Sequence, residues 1–251
     1  NKHLTDYLTD EAVSAIRSNK NRPFFMYLAH WGVHTPLQAK KEDYDALSNI
    51  KDHRRRVYAA MVRSMDRSVG KILQALKEEG LDENTIVIFT SDNGAPNYIG
   101  LPEVNQPYRG WKLTFFEGGL RVPMIVSWVG ITKKETVCSQ NVIIEDFFPT
   151  ILAAANIKNY KTIQNVDGMN LVPLFKGEKI DKNRILTWHY PHLHQTKVAD
   201  VQPFSAIRKG KWKLMYFHKD QHFELYDTDT DIGEKDNLAS KNPKMVKKLG
   251  V

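Results

Sequence analysis

The stretch Thr85-Ile86-Val87-Ile88-Phe89-Thr90-Ser91-Asp92-Asn93-Gly94 decides how the chain is read. It opens as an apolar, β-branched run, the composition of a strand buried on both faces of a parallel sheet. It then breaks into two polar side chains and a glycine. In open α/β sheets ligands bind just outside the carboxyl ends of the strands. A carboxylate at Asp92 beside an amide oxygen at Asn93 offers hard donors, suited to Ca²⁺ or Mg²⁺ rather than to a soft metal. Taken alone, Asp-Asn-Gly reads first as a turn, so the surroundings have to decide.

Working outward, residues 54–79 repeat Val57, Met61, Met65, Val69, Ile72 and Leu76 at three- and four-residue steps, and Gly80 closes the helix. Residues 9–19 predict another helix, capped by Thr9 and carrying Ala12, Val13, Ala15 and Ile16 on one stripe. Between them, residues 24–30 read as a buried strand that runs into a loop with His34. Downstream, the glycine-punctuated loop 108–121 leads into a third strand at 122–129. This α, β, α, β order predicts a mixed, largely parallel sheet with helical crossovers. Residues 146–155 read as a short helix. From about residue 184 the texture changes to short strands at 204–209, 212–217 and 223–226, an antiparallel meander, with a last helix near Asn242-Pro243. Two regions follow: residues 1–183 as α/β domain and 184–251 as a small α+β subdomain.

The 251 residues are 41% hydrophobic and 26% charged, ordinary for a globular chain. A formal net charge of +7 favours polyanionic partners. No nucleic-acid motif is present, and Arg54-Arg55-Arg56 fits a solvated helix face, which leaves sulfated or phosphorylated substrates. No run of 18 apolar residues exists to span a membrane. The lone Cys138 excludes an internal disulfide, and its neighbours supply no base, so it reads as a buried or inert thiol. The opening Asn1-Lys2-His3 is neither an initiator methionine nor a signal peptide, so the chain reads as a piece of a longer one.

Three strand-end loops thus offer Asp92 with Asn93, His34, and Lys112 with Arg109. A cation, an imidazole and an ammonium around one point suit an oxyanion substrate whose leaving group needs a proton. Singly, each has a plainer reading as a structural histidine, a solvated lysine or a turn; their coincidence is the argument. His189, His192 and His194 form a dense run that fits either a rim contacting the alcohol or sugar part of a substrate or a surface loop with aromatic anchors. Their spacing matches no standard metal motif.

The motifs Gly32-Val33-His34-Thr35-Pro36, Ser91-Asp92-Asn93-Gly94, Arg109-Gly110-Trp111-Lys112 and Glu117-Gly118-Gly119-Leu120-Arg121-Val122-Pro123 closely resemble those of the type I, formylglycine-dependent sulfatases. The tail resembles that family's C-terminal subdomain, through Ala206-Ile207-Arg208-Lys209-Gly210-Lys211-Trp212-Lys213-Leu214 and Glu224-Leu225-Tyr226-Asp227. The resemblance implies an alkaline-phosphatase-like α/β fold, an arylsulfatase-like hydrolysis of aryl or carbohydrate sulfate esters, and a periplasmic or secreted location. It implies Asp92 and Asn93 as calcium ligands, with Mg²⁺ as the other hard cation, His34 as the group at the ester oxygen, and Lys112 as holder of the sulfate oxygens. Arg109, His189 and His192 are expected as further substrate contacts. The family's nucleophile arises from Cys/Ser-x-Pro-x-Arg in an N-terminal part with paired aspartates, and neither occurs here: Cys138 is followed by Ser-Gln-Asn-Val. The chain therefore reads as a sulfatase's C-terminal portion, inactive by itself and completed by the N-terminal segment of the same protein. One alternative is a phosphatase or phosphodiesterase of the same superfamily, which places a zinc-binding histidine where Asn93 stands. The other is a non-catalytic module that binds polyanions.

Overall fold

The computed structural model describes residues 2–181, 184–195 and 200–250. The chain divides into two compact units, residues 1–87 with 98–102 and residues 88–97 with 103–251. Each follows from its own apolar patterning.

The first unit is helical, with α1 (Leu4–Asn19), α2 (Lys41–Asp45) and α3 (His53–Glu78). The Asp52 carboxylate caps α3 by accepting the Arg55 N–H at 2.7 Å, and Gly80 turns the chain out of it at φ +67°. The stripe read from the sequence is the packing face: Ala60, Met61, Ala75 and Leu76 of α3 are buried, as are Ala12 and Ile16 of α1. Thr9 is not a cap. The first helix starts five residues earlier, and Thr9 lies buried inside it, its Oγ1 2.6 Å from both the Thr5 carbonyl and Ser68 Oγ. Ser68 Oγ is in turn 2.9 Å from His30 Nε2, and burial lowers the pKa of that imidazole. Asp43, fully buried, is bonded by Arg67 at 2.5 and 2.8 Å and also by Arg63.

Residues 24–30 do not form the expected strand. They run extended without a ladder partner among the described residues, and alternate in exposure, with Phe25 71% and Tyr27 83% exposed. An apolar run supplies the strand's side chains, but a strand also needs a neighbour to bond its backbone.

In the second unit β1 (Val87–Thr90), whose last three residues belong to it, pairs with β2 (Met124–Ser127). Between them lies the short helix α4 (Glu117–Leu120), and after them come α5 (Phe147–Ala154) and α6 (Val172–Phe175). Buried Asp146 precedes α5, accepts the Ile143 and Met169 amides, and forms a two-fold bond with Arg184 at 2.6 and 2.7 Å. Cys138 is exposed, so the buried alternative for that thiol falls away.

The C-terminal meander is present and one strand larger than expected. The strands β3 (Ile185–Tyr190), β4 (His194–Gln195), β5 (Asp200–Val201), β6 (Phe204–Lys209), β7 (Trp212–Phe217) and β8 (His222–Asp227) precede α7 (Pro243–Leu249). Four of them form an antiparallel sheet in the order β3-β6-β7-β8, with Tyr190, Phe204, Phe217 and His222 in one rank. One face buries Phe204, Ala206, Met215, Phe217 and Tyr226 against Leu113, Phe115 and Phe116 of the loop after Lys112. The other buries Leu214 and Leu225 under Leu249 of α7. Each such large apolar side chain contributes about 1.5–3 kcal/mol when fully buried.

Candidate active site

Asp92 and Asn93 follow β1 directly, at the strand end where the sequence places them. Asp92 is exposed, and its Oδ1 accepts the Asn93 N–H at 3.0 Å. The Asn93 side-chain nitrogen donates to the Gly94 carbonyl at 3.0 Å, and the amide oxygen is the end of that side chain that suits a hard cation.

The next residues bind this loop to the one that carries Lys112. Gly94 N–H donates to the Gly119 carbonyl at 3.0 Å, and Lys112 N–H donates to the Ala95 carbonyl at 3.2 Å. Asn105 fastens both loops: its Oδ1 accepts the Ala95 N–H at 3.0 Å, and its Nδ2 donates to the carbonyls of Ala95 at 2.8 Å and Gly110 at 3.1 Å. Nothing in the sequence singles out Asn105 from other loop asparagines. The glycines permit the contact. A Cβ on Gly94 would lie 1.7 Å from the Gly118 carbonyl oxygen, so two backbones meet where no side chain fits.

Arg109, expected as a further substrate contact, is engaged within the protein. Its guanidinium lies 3.9 Å over the Phe116 ring, and Nη1 donates to Tyr226 Oη at 2.8 Å and to the Glu234 carbonyl at 3.1 Å. It fastens the loop to the C-terminal sheet. His189 and His192 are not brought together. His189 projects from β3 to a chain in which its Nδ1 is 2.8 Å from Ser205 Oγ, itself 2.8 Å from His218 Nε2. His192 stands edge-on to Tyr190, with ring centres 5.4 Å apart. Successive strand residues face opposite sides, and Tyr190 belongs to the face opposite His189. The side chain of His194 lies outside the described residues.

His34 lies in the first unit, exposed, with its amide donating to the Trp31 carbonyl at 3.0 Å and its Nδ1 2.9 Å from the Thr35 carbonyl. As for a metal, Asp92 and Asn93 supply the right donor chemistry but only part of a shell. Ca²⁺ takes 6–8 oxygens, and among the described residues no group of three or more His, Cys, Asp or Glu is arranged to hold an ion.

A family profile described as "Sulfatase" matches residues 1–157. The chain belongs to the sulfatase family. A second profile, "N-sulphoglucosamine sulphohydrolase, C-terminal", matches residues 110–249 of this sulfatase chain. It is 36% identical to a sulfatase of Formosa agariphila, over 96% of this chain and 47% of that protein. It is 32% identical to the uncharacterized sulfatase YdeN of Escherichia coli, over 98% and 49%. The crystal structure of Ps i-CgsB in complex with k-i-k-neocarrahexaose superposes with a TM-score of 0.88 at 34% identity, over 99% of this chain and 53% of that one. The fold is thus the alkaline-phosphatase-like fold of the sulfatases. The chain spans about half the length of the relatives it matches.

Proposed function

We propose that the protein to which this sulfatase chain belongs hydrolyses sulfate esters, and that these residues supply the part of the site that holds and neutralises the sulfuryl group. The observation that carries the reading is the junction of the two motif loops, with Gly94 bonded to Gly119 at 3.0 Å and Lys112 to Ala95 at 3.2 Å. It sets hard oxygen donors and an ammonium-bearing residue on adjoining loops.

In this reading Lys112 donates through its ammonium to the sulfuryl oxygens, where charge builds in the transition state. His34, assigned by motif, gives the leaving oxygen its proton, so that no bare alkoxide departs. Asp92 and Asn93 would hold the cation, by resemblance Ca²⁺, which offsets charge on the sulfuryl oxygens when bound. The nucleophile, by resemblance a formylglycine, comes from sequence outside these 251 residues. We favour a sulfated carbohydrate as substrate, a choice supported by the k-i-k-neocarrahexaose in complex with Ps i-CgsB. A periplasmic or secreted location is part of the proposal and rests on family resemblance; among the described residues no helix is long and apolar enough to cross a membrane.

The test is steady-state hydrolysis of an aryl sulfate by the polypeptide that contains this chain. Lys112→Ala removes a charge-assisted contact and should cost about 10²–10³ in kcat. Lys112→Arg should recover only part, because a planar fork copies a compact ammonium poorly. A loss smaller than about threefold in Lys112→Ala removes Lys112 from the site.

A further inference from the structure

The loop that carries Lys112 is held at both ends by charged side chains, exposed at one end and buried at the other. At one end Arg109 reaches Tyr226 and the Glu234 carbonyl. At the other, Glu117 is only 2% exposed and meets two cations through hydrogen bonds, with Arg121 Nη1 a third at 3.8 Å. Lys213 Nζ donates to its Oε1 at 2.9 Å, and Arg208 Nη1 lies 3.1 Å from each of its oxygens. Lys213, itself fully buried, also pairs with Glu234 at 2.8 Å, and Glu234 Oε2 accepts the backbone N–H of Glu117 at 2.6 Å. The cluster therefore joins the end of the loop, β6, β7 and the turn after β8.

Packing does not require these charges. Leu113, Phe115 and Phe116 already press the loop onto the sheet, and burying an ion pair costs several kcal/mol per ion before its partners offset it. Apolar contact is non-directional, however, whereas a carboxylate shared by an ammonium and a guanidinium fixes direction as well as distance. Between the two clamps the backbone passes through Gly110 at φ +82° and Leu113 at φ +81°, on either side of Lys112. The Gly118 N–H then closes the segment on the Arg109 carbonyl at 2.7 Å.

We infer that Glu117, Arg208, Lys213 and Glu234 are positioning residues: through buried charge the C-terminal sheet sets where the loop presents Lys112. The inference rests on the proposed role of Lys112, and a misplacement of about 1 Å in such a contact costs on the order of 10² in rate.

The test compares Lys213→Met and Glu234→Gln, each alone and combined with Lys112→Ala, in the complete polypeptide. Glu234→Gln keeps an acceptor for the Glu117 amide and serves if Lys213→Met does not fold. Each variant should lower kcat on an aryl sulfate at least about tenfold. Amides 109–121 should exchange hydrogen faster, while those in the β6-β7-β8 ladder keep their protection. In the Lys112→Ala background the same changes should cost little more, because they act through a group already removed. Folded variants with unchanged exchange in 109–121, or with losses that add to that of Lys112→Ala, overturn the inference. If the unsubstituted protein hydrolyses no sulfate ester, the functional reading fails, and the exchange measurement alone decides whether the cluster clamps the loop.

Discussion

Gly94→Ala puts the loop junction to a direct test. The new Cβ would stand 1.7 Å from the Gly118 carbonyl oxygen, 2.8 Å from its carbon and 3.3 Å from Gly119 Cα. A carbon and a carbonyl oxygen approach no closer than about 3.3 Å even in favourable contacts, so the backbones must part by roughly 1.5 Å. Both are backbone, so no rotamer change relieves the clash. The move breaks the Gly94–Gly119 hydrogen bond, worth about 1 kcal/mol, on top of about 1–3 kcal/mol for overpacking. A total near 2–4 kcal/mol lowers the melting temperature by roughly 4–15 °C in a protein of this size or larger. The same shift pulls Lys112 away from Asn93, so kcat on an aryl sulfate should fall about 10²-fold. Gly70→Ala is the control: it lies exposed in α3 with nothing within 4 Å of a new Cβ, and should be neutral or slightly stabilising. Differential scanning fluorimetry and steady-state kinetics on the complete polypeptide measure both effects. A Gly94→Ala protein that melts within about 2 °C of the parent and keeps its rate within threefold would refute the close approach.

Acid should weaken the fold through two carboxylates. Arg67 and Arg63 outweigh burial at Asp43, and at Glu117 burial raises the pKa but Lys213 and Arg208 bring it below the ordinary value. Groups with lowered folded pKa contribute stability above their unfolded values, which is lost as pH falls through the folded ones. Glu234, raised by burial, works in the opposite sense. The urea midpoint should therefore drop between about pH 5 and pH 3, and Asp43→Asn should flatten that drop; a midpoint constant over the range contradicts it. With one carboxylate and one amide oxygen to offer, residues 1–251 alone should bind Ca²⁺ weakly and turn over no sulfate ester, as calorimetric titration and an aryl-sulfate assay on the isolated chain will show. Turnover by the isolated chain would mean that the nucleophile lies within it.

The strands β6 and β7 were legible to the residue, because alternation and a Lys-Gly-Lys turn mark both ends. The edge strand β3 is hidden in the sequence because His189 opens a run of histidines that fits a rim or a surface loop, although Leu186, Trp188 and Tyr190 alternate inward as a strand requires. Residues 24–30 failed in the other direction: composition reports what a strand would bury, not whether a partner pairs with it. At the candidate site, the motifs single out Asp92, Asn93 and Lys112, whereas nothing in the sequence singles out Asn105. For the buried cluster one signal is available. Lys213 shares a strand face with Met215 and Phe217, so the period-2 rule places its ammonium inside the protein.

That buried ammonium also has a consequence in time. Glu117 and Glu234 are 117 residues apart, and Lys213 follows Glu117 by 96. At roughly 5–20 residues per second of synthesis, the loop exists for on the order of ten seconds before its last clamp has been made. Until residues 208 and 213 follow, Glu117 is a hydrated carboxylate, and the loop that carries Lys112 has no hold on the C-terminal sheet. A nascent chain cut short before residue 234 would carry every motif of the candidate site and still lack the lock that holds one of them in place.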